Sequence, residues 1–78
     1  MAYDHQTLGG AIRRLRKMRG LSQEVLSGRA GMARSHLAMV ESGKKAPSLN
    51  TVWNIAQALD ISVSSLLRMA EEQLQTPP

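Results

Sequence analysis

Apolar residues recur at helical spacing along most of the chain. Leu8, Ile12 and Leu15 fall on one face of a helix, whereas Arg13 and Arg14 fall on the other. No stretch of four or more residues alternates apolar and polar side chains with β-branched enrichment, so the pattern predicts no strands. The sequence therefore predicts a compact all-α domain of five short helices.

Glycines and serines mark the ends of the predicted helices. The expected helices cover residues 7–18, 23–30 and 33–42, a fourth segment after Ser48 and a fifth from 63 to about 73. Glycine is common just after a helix, and serine is a good N-cap. The expected stop residues are Gly20, Gly31 and Gly43, and the expected N-caps are Ser22, Ser48 and Ser62. We expect a single domain over residues 1–74 and a disordered tail at 75–78, with His5 in a disordered N-terminus.

The composition restricts the protein class. A single core in a chain of 78 residues rarely supplies more than about 3–5 kcal/mol, so a second copy of the chain is an expected source of stability. With no cysteine and only two histidines, neither a disulfide nor a metal site is expected, and we expect no cofactor. No apolar run approaches the ~18–20 residues that cross a bilayer, and the start does not resemble a secretory signal. These features favour a cytoplasmic protein.

Catalytic patterns are missing from the sequence. There is no pair of carboxylates at credible spacing, no Ser/His/Asp set, no phosphate loop and no metal cluster. We therefore expect that the protein is not an enzyme.

Charge is unevenly distributed along the chain. Residues 1–50 carry nine of the ten lysines and arginines against three acidic residues, a net charge of +6, whereas residues 51–78 have a net charge of −2. This asymmetry is typical of a front half that faces a polyanion. A solvated surface that is merely basic is the alternative, and charge alone does not choose between them.

Residues 23–42 have the pattern of a helix-turn-helix. Two helices that cross steeply over a short turn need apolar anchors, small residues at the crossing and a glycine in the turn. These roles are filled in order by Leu26, Ser27, Ala30, Gly31, Met32, Leu37 and Val40.

On these residues the sequence resembles the lambda-repressor-like, or Cro-type, DNA-binding domains, also called the XRE family. The resemblance runs from about Leu8 to Leu67. The matching segments are Leu8-Gly9, Ile12-Arg13, Leu15-Arg16, Gly20 to Glu24, Ala30-Gly31, Leu37, Glu41, Gly43-Lys44, Pro47 to Leu49, Ile55-Ala56 and Ala58-Leu59. The resemblance implies a DNA-binding transcriptional regulator of bacterial or phage origin that acts on the nucleoid. The small size is most like a restriction–modification controller protein or a Cro-like phage regulator.

The resemblance also assigns residues to DNA. Arg34, Ser35 and Met39 would face base edges from the third, recognition helix, with Arg34 suited to guanine. The implied phosphate contacts are Gln23, His36, Ser42, Lys44 and Lys45. For His36, a side chain without a DNA contact is the alternative. Family members usually have Ser or Thr at the position of Ala33, so the recognition helix should lack this side-chain N-cap unless Ser35 or a water molecule replaces it.

Two further features concern charged residues on the first helix. The resemblance implies a largely buried ion pair between Arg16 and Glu41 that ties the first helix to the third, rather than an exposed acid and base. The basic run at residues 13–19 is either a nucleic-acid contact or a solvated helix face.

An apolar stripe on the fifth helix suggests a partner surface. Val63, Leu67, Ala70 and Leu74 form the stripe, and Trp53 adds a rim contact. The alternative is that the stripe completes the monomer core.

A two-fold dimer would place two recognition helices ~34 Å apart and read a palindromic operator. The expected partners are double-stranded DNA, a second copy of the chain and, for an activator, RNA polymerase. An antitoxin-type or Cro-like repressor that also binds a protein, and non-specific nucleic-acid binding, are the alternative functions.

Overall fold

The first helix begins earlier than the apolar pattern predicts. The structure is a computed structural model that describes residues 4–75, with side chains for residues 4–73. Helix α1 spans His5–Met18, and the Asp4 carboxylate caps it by accepting a hydrogen bond from the backbone amide of Gln6 at 2.9 Å. The expectation that His5 lies in a disordered terminus is therefore wrong, because an unrecognised acidic N-cap extends the helix by two residues.

Four further helices follow over the described residues, and these residues contain no strand. They are α2 (Gln23–Arg29), α3 (Arg34–Glu41), α4 (Leu49–Ala58) and α5 (Val63–Gln75). The all-α fold class is confirmed. Gln75, assigned to a disordered tail from the sequence, is instead the last residue of α5, and residues 76–78 of that tail lie outside the described part of the chain.

The first four helices end in the same hydrogen-bonded turn. In each, the amide two residues beyond the C-cap returns to a carbonyl in the last helical turn, which is the Schellman arrangement. These bonds are Leu21 N to Arg16 O at 3.1 Å, Met32 N to Ser27 O at 2.9 Å, Lys44 N to Met39 O at 3.0 Å and Ile61 N to Ala56 O at 3.0 Å. The turn requires a residue with positive φ, and this residue is Gly20, Gly31, Gly43 or, as the only non-glycine among the described residues, Asp60 at φ 58°.

A single hydrophobic core lies between the helices. Helix α1 packs on α3 and α5, α2 packs on α3 and α4, and α4 packs on α5. The largest fully buried side chains are Leu8, Ile12, Leu26, Leu37, Val40, Ile55, Leu59 and Leu66. Because α3 is held from one side by α1 and α2, its opposite face remains open to solvent.

Helices α1 and α3 approach most closely at Gly9. A Cβ atom at this position would collide with the carbonyl oxygen of Val40 and would lie 3.0 Å from that of Glu41. Only glycine therefore allows α1 to cross directly over the C-terminal end of α3.

Among the described residues, none of the helices is both long enough and apolar enough to cross a lipid bilayer.

Candidate nucleic-acid interface

The helix-turn-helix predicted from residues 23–42 is formed by α2 and α3. Leu26 is fully buried, and the small Ser27 and Ala30 are buried beside it. Gly31 adopts φ 69° in the turn, and Met32 packs partly buried against the core. Small side chains at the crossing let the two short helices meet at a steep angle, which directs α3 outward.

The outer face of α3 carries the residues predicted to read bases. Ser35, Met39 and Ser42 follow one another at i, i+4 and i+7 and are exposed, with 43% of Met39 accessible. Arg34, the first residue of the helix, is also exposed. These side chains form a surface that nothing in the described chain covers.

Sequence reasoning missed Ala38, which lies half-buried between Ser35 and Ser42 on the outer face. Its spacing of three and four residues from these serines was a signal that could have found it. The side chain of Ala38 is a single methyl group, so it extends less far from the helix than the longer side chains around it.

The N-terminus of α3 has no side-chain cap. Ala33 occupies the N-cap with an extended backbone, φ −69° and ψ 142°, and makes no side-chain cap bond. By contrast, the Ser22 hydroxyl accepts a bond from the Val25 amide at 3.1 Å, and Ser48 does the same for Thr51. Of α2, α3 and α4, α3 therefore has the least stabilised N-terminus.

A buried ion pair connects α1 to the end of α3. Arg16 Nε donates to Glu41 Oε2 at 2.7 Å and Nη2 donates to Oε1 at 3.0 Å, while Nη1 donates to the Leu21 carbonyl at 2.8 Å. The two side chains are only 9% and 2% exposed. The pair implied by the resemblance is thus present, and its arginine is directed away from solvent and toward the scaffold.

Gln23, predicted to bind a phosphate, is the third partner of this ion pair. Its amide nitrogen donates to Glu41 Oε1 at 3.0 Å, and the side chain is half-buried at the start of α2. An amide group has two N–H donors, so one remains available for a phosphate.

The loop that follows α3 presents two exposed lysines, Lys44 and Lys45. Both backbone amides donate to the carbonyl of Met39, at 3.0 and 3.3 Å, which fixes the loop directly against the end of the helix. The Ser42 hydroxyl donates to the same carbonyl at 3.2 Å, so its proton is used within the chain. His36, the last of the predicted phosphate contacts, is half-buried and lies off the outer face of α3.

The first turn of α1 also reaches this loop, which sequence reasoning did not foresee. His5 Nε2 lies 3.0 Å from the carbonyl oxygen of Gly43. No local pattern in the sequence indicates this contact, because the two residues are 38 positions apart.

The basic run on α1 is exposed except for Arg16. Arg13, Lys17 and Arg19 face solvent. Arg14 lies against the side-chain amide of Gln73 on α5, whose oxygen can accept a hydrogen bond from the guanidinium when the amide is turned to present it.

The predicted dimer residues divide into two groups. Ala70 was assigned to a partner surface and is instead buried at 8% exposure in the monomer core, because it follows the fully buried Leu66 by one helical turn. Val63 packs half-buried against the same core. Trp53 and Leu67 are exposed at 52% and 40%. The side chain of Leu74 lies outside the described residues.

Comparisons with known proteins agree with this architecture. A sequence model of the helix-turn-helix family matches residues 12–66. An HTH-type transcriptional regulator of Sinorhizobium fredii, y4dJ, is 34% identical over 65 residues, which are 83% of this chain and 84% of the relative. The immunity repressor of Bacillus phage phi105 is 41% identical over 61 residues, but the chain spans only 42% of that repressor's length.

Solved structures show the same fold. The restriction–modification controller protein C.AhdI from Aeromonas hydrophila is 40% identical, with a TM-score of 0.79 over 81% of this chain and 96% of that one. The controller protein C.Esp1396I, solved as a tetramer on its natural 35 base-pair operator, superposes with a TM-score of 0.88 over 97% of this chain and 100% of that one, at 16% identity. With more than half of its length matched, the chain belongs to the helix-turn-helix family of DNA-binding regulators.

Proposed function

We propose that the protein is a transcriptional regulator that binds a palindromic operator as a homodimer, with α3 in the major groove of each half-site. The observation that carries this proposal is the outward face of α3, where exposed Arg34, Ser35 and Met39 stand beside exposed Lys44 and Lys45. An α-helix with its side chains is about 10–12 Å wide, and the major groove is about 12 Å wide. The face therefore has the size, the charge and the exposure that groove binding needs.

The exposed side chains divide by chemistry into two roles. The Arg34 guanidinium can donate two hydrogen bonds to guanine O6 and N7, and the Met39 thioether side chain can pack on a thymine methyl group. Lys44 and Lys45 carry point charges on a loop fixed to the helix end, which suits phosphate contacts that set the register of α3.

The homodimer is proposed from exposed apolar groups at the acidic end of the chain. Trp53 and Leu67 are half exposed on α4 and α5, which pack on each other, and this half of the chain has a net charge of −2. A second copy is less repelled here than at the basic half. The likeness to C.AhdI at 40% identity favours a restriction–modification controller protein as the subtype, and the phage immunity repressor favours repression as the mode of action.

We further propose that the protein acts by binding alone and has no catalytic activity. If the protein activates transcription, we propose that it also contacts RNA polymerase.

Selection of bound sequences from random double-stranded DNA tests the proposal most directly. We expect an inverted repeat whose half-sites lie about one helical turn apart. Arg34→Ala should then relax base preference at one position in each half-site, whereas Lys44→Ala should weaken all sequences by a similar factor. Arg29→Ala, which removes an exposed cation at the end of α2, is the matched control and should do neither. Recovery of random sequences, or equal effects of the three variants, would refute the proposal.

The salt dependence of binding provides an independent check. The logarithm of the affinity should fall with the logarithm of the salt concentration with a slope of about −0.9 for each phosphate neutralised. Lys44→Ala should make this slope shallower by about one such contact, and Arg29→Ala should leave it unchanged.

A further inference from the structure

We propose that His5 is a positioning residue for DNA binding, which acts by holding the loop formed by Gly43, Lys44 and Lys45. The inference rests on the proposed function, because it names a residue that orients the phosphate-binding lysines of the same site. His5 itself has no assigned contact with DNA.

The contact between His5 and the loop has one possible polarity. His5 Nε2 lies 3.0 Å from the carbonyl oxygen of Gly43. A carbonyl oxygen can only accept a hydrogen bond, so Nε2 carries a proton and donates it. The His5 imidazole, on α1, thereby donates a hydrogen bond to the backbone at the point where α3 ends and the loop begins.

The neighbouring residue holds Gly43 by packing. A Cβ atom placed on Gly43 would lie 3.0 Å from Gln6 Cβ and 3.1 Å from Gln6 Cα, and it would collide with Gln6 Cγ. Gly43 is buried as a result, although the two lysines that follow it are exposed. One turn further along α1, Gly9 lies against the carbonyls of Val40 and Glu41. The first two turns of α1 thus hold the whole C-terminal end of α3.

The bond from His5 restrains Lys44 through a single peptide group. The Gly43 carbonyl and the Lys44 amide belong to the same rigid, planar peptide unit. The Lys44 amide donates to the Met39 carbonyl at 3.0 Å, and the Gly43 carbonyl accepts from His5 at 3.0 Å. This peptide plane is therefore tied at one edge to α3 and at the other edge to α1, which sets the direction in which Lys44 leaves the loop.

The bond from His5 lies outside the segment that the helix-turn-helix family model matches. The helix-turn-helix match covers residues 12–66, whereas His5, Gln6 and Gly9 precede it. Residues 12–66 include the loop and its two lysines, whereas His5, in the first turn of α1, provides the hydrogen bond that fixes this loop.

Two substitutions of similar polarity separate the hydrogen bond from other effects. The side-chain nitrogen of glutamine reaches about as far from Cβ as imidazole Nε2, so His5→Gln can keep the bond to Gly43. The side chain of asparagine is one methylene shorter, so His5→Asn loses the bond while remaining polar and hydrogen-bonding. Circular dichroism should show that both variants fold.

Amide hydrogen exchange in the free protein is the first measurement. His5→Asn should accelerate exchange at Lys44 and Lys45 by roughly 2–10-fold, the factor that corresponds to one hydrogen bond. The amide of Met32, which occupies the same position in the turn after α2, is the internal control and should be unchanged. His5→Gln should leave all three amides near their wild-type rates.

Affinity for the selected operator is the second measurement. His5→Asn should weaken binding by roughly 2–10-fold and make the salt dependence shallower, and His5→Gln should restore both. In a Lys44→Ala/Lys45→Ala background, His5→Asn should change affinity less than twofold, because the lysines through which it acts are gone. A purely structural role would not produce this loss of effect.

The outcomes separate this inference from the proposed function. A wild-type protein that binds its operator while His5→Asn matches it in exchange and affinity would overturn the role of His5 alone. Equal weakening by His5→Asn and His5→Gln, or an undiminished effect in the double-lysine background, would overturn it as well. A wild-type protein that selects no DNA sequence would refute the proposed function, and the role of His5 in DNA binding would fall with it.

Discussion

Removal of the Glu41 carboxylate should unfold most of the protein. Glu41→Ala removes two of the three hydrogen bonds of the Arg16 guanidinium and one of the Gln23 amide. The arginine side chain, only 9% exposed in the intact pair, then has no charge partner. Loss of one partner from a buried ion pair costs about 3–5 kcal/mol. The whole stability of a core of this size is about 3–5 kcal/mol, so the variant should be largely unfolded at 25 °C.

Urea unfolding followed by circular dichroism measures this effect. Glu24→Ala is the matched control, because it removes an exposed glutamate on α2, and it should cost less than about 1 kcal/mol. The double variant Arg16→Met/Glu41→Leu should fold again, since replacement of both charges by apolar groups leaves no unpaired charge in the core. If Glu41→Ala unfolds within 1 kcal/mol of the wild type, the pair is screened like an exposed one and the reasoning fails.

Three further substitutions test separate parts of the structure. Ala33→Ser should raise the free energy of unfolding by about 0.5–2 kcal/mol, because the backbone at residue 33 already has N-cap geometry and lacks only the side-chain acceptor; an unchanged melting temperature would contradict this. Asp60→Gly should stabilise the protein by up to about 1 kcal/mol in thermal unfolding by relieving a positive φ at the end of α4, and Asp60→Ala, which removes the charge but keeps Cβ, should not. Leu67→Glu should shift sedimentation toward the monomer and weaken operator binding. Met18→Glu, at an exposed methionine on α1, is the control and should do neither. Equal sedimentation of the two variants would exclude α5 from the interface.

The parts of the fold that depend on nearby residues could be predicted from the sequence. The glycines at positions 20, 31 and 43 end helices as expected, because the turn they form is closed by hydrogen bonds within six residues. The core face of α3 follows from the 3.6-residue period, which places Leu37 and Val40 together and Ser35 opposite. The N-cap of α1 is also a local feature, but the apolar period does not indicate it, because Asp4 precedes Leu8, the first apolar residue of the buried face.

The sides of α5 could not be assigned from its sequence alone. Leu66, Leu67 and Ala70 all fit an apolar stripe, and periodicity does not state which edge of the stripe another helix covers. In the structure α1 and α4 pack on α5, and they bury Leu66 and Ala70 but leave Leu67 40% exposed. The coverage of a helix is set by residues far away in the chain, which is why Ala70 was assigned to the wrong surface.

The two ends of the recognition helix are held to different degrees, and this difference matches the roles proposed for them. An isolated helix of eight residues is too short to be stable in water, so α3 depends on its neighbours. At its C-terminal end, Arg16 and Gln23 bind the Glu41 side chain and His5 binds the Gly43 carbonyl. At its N-terminal end, Ala33 provides no side-chain bond. The lysines proposed to contact phosphates therefore extend from the fixed end, which suits a role in setting the register. Arg34 extends from the less restrained end, where a side chain proposed to read a base has room to adjust to it.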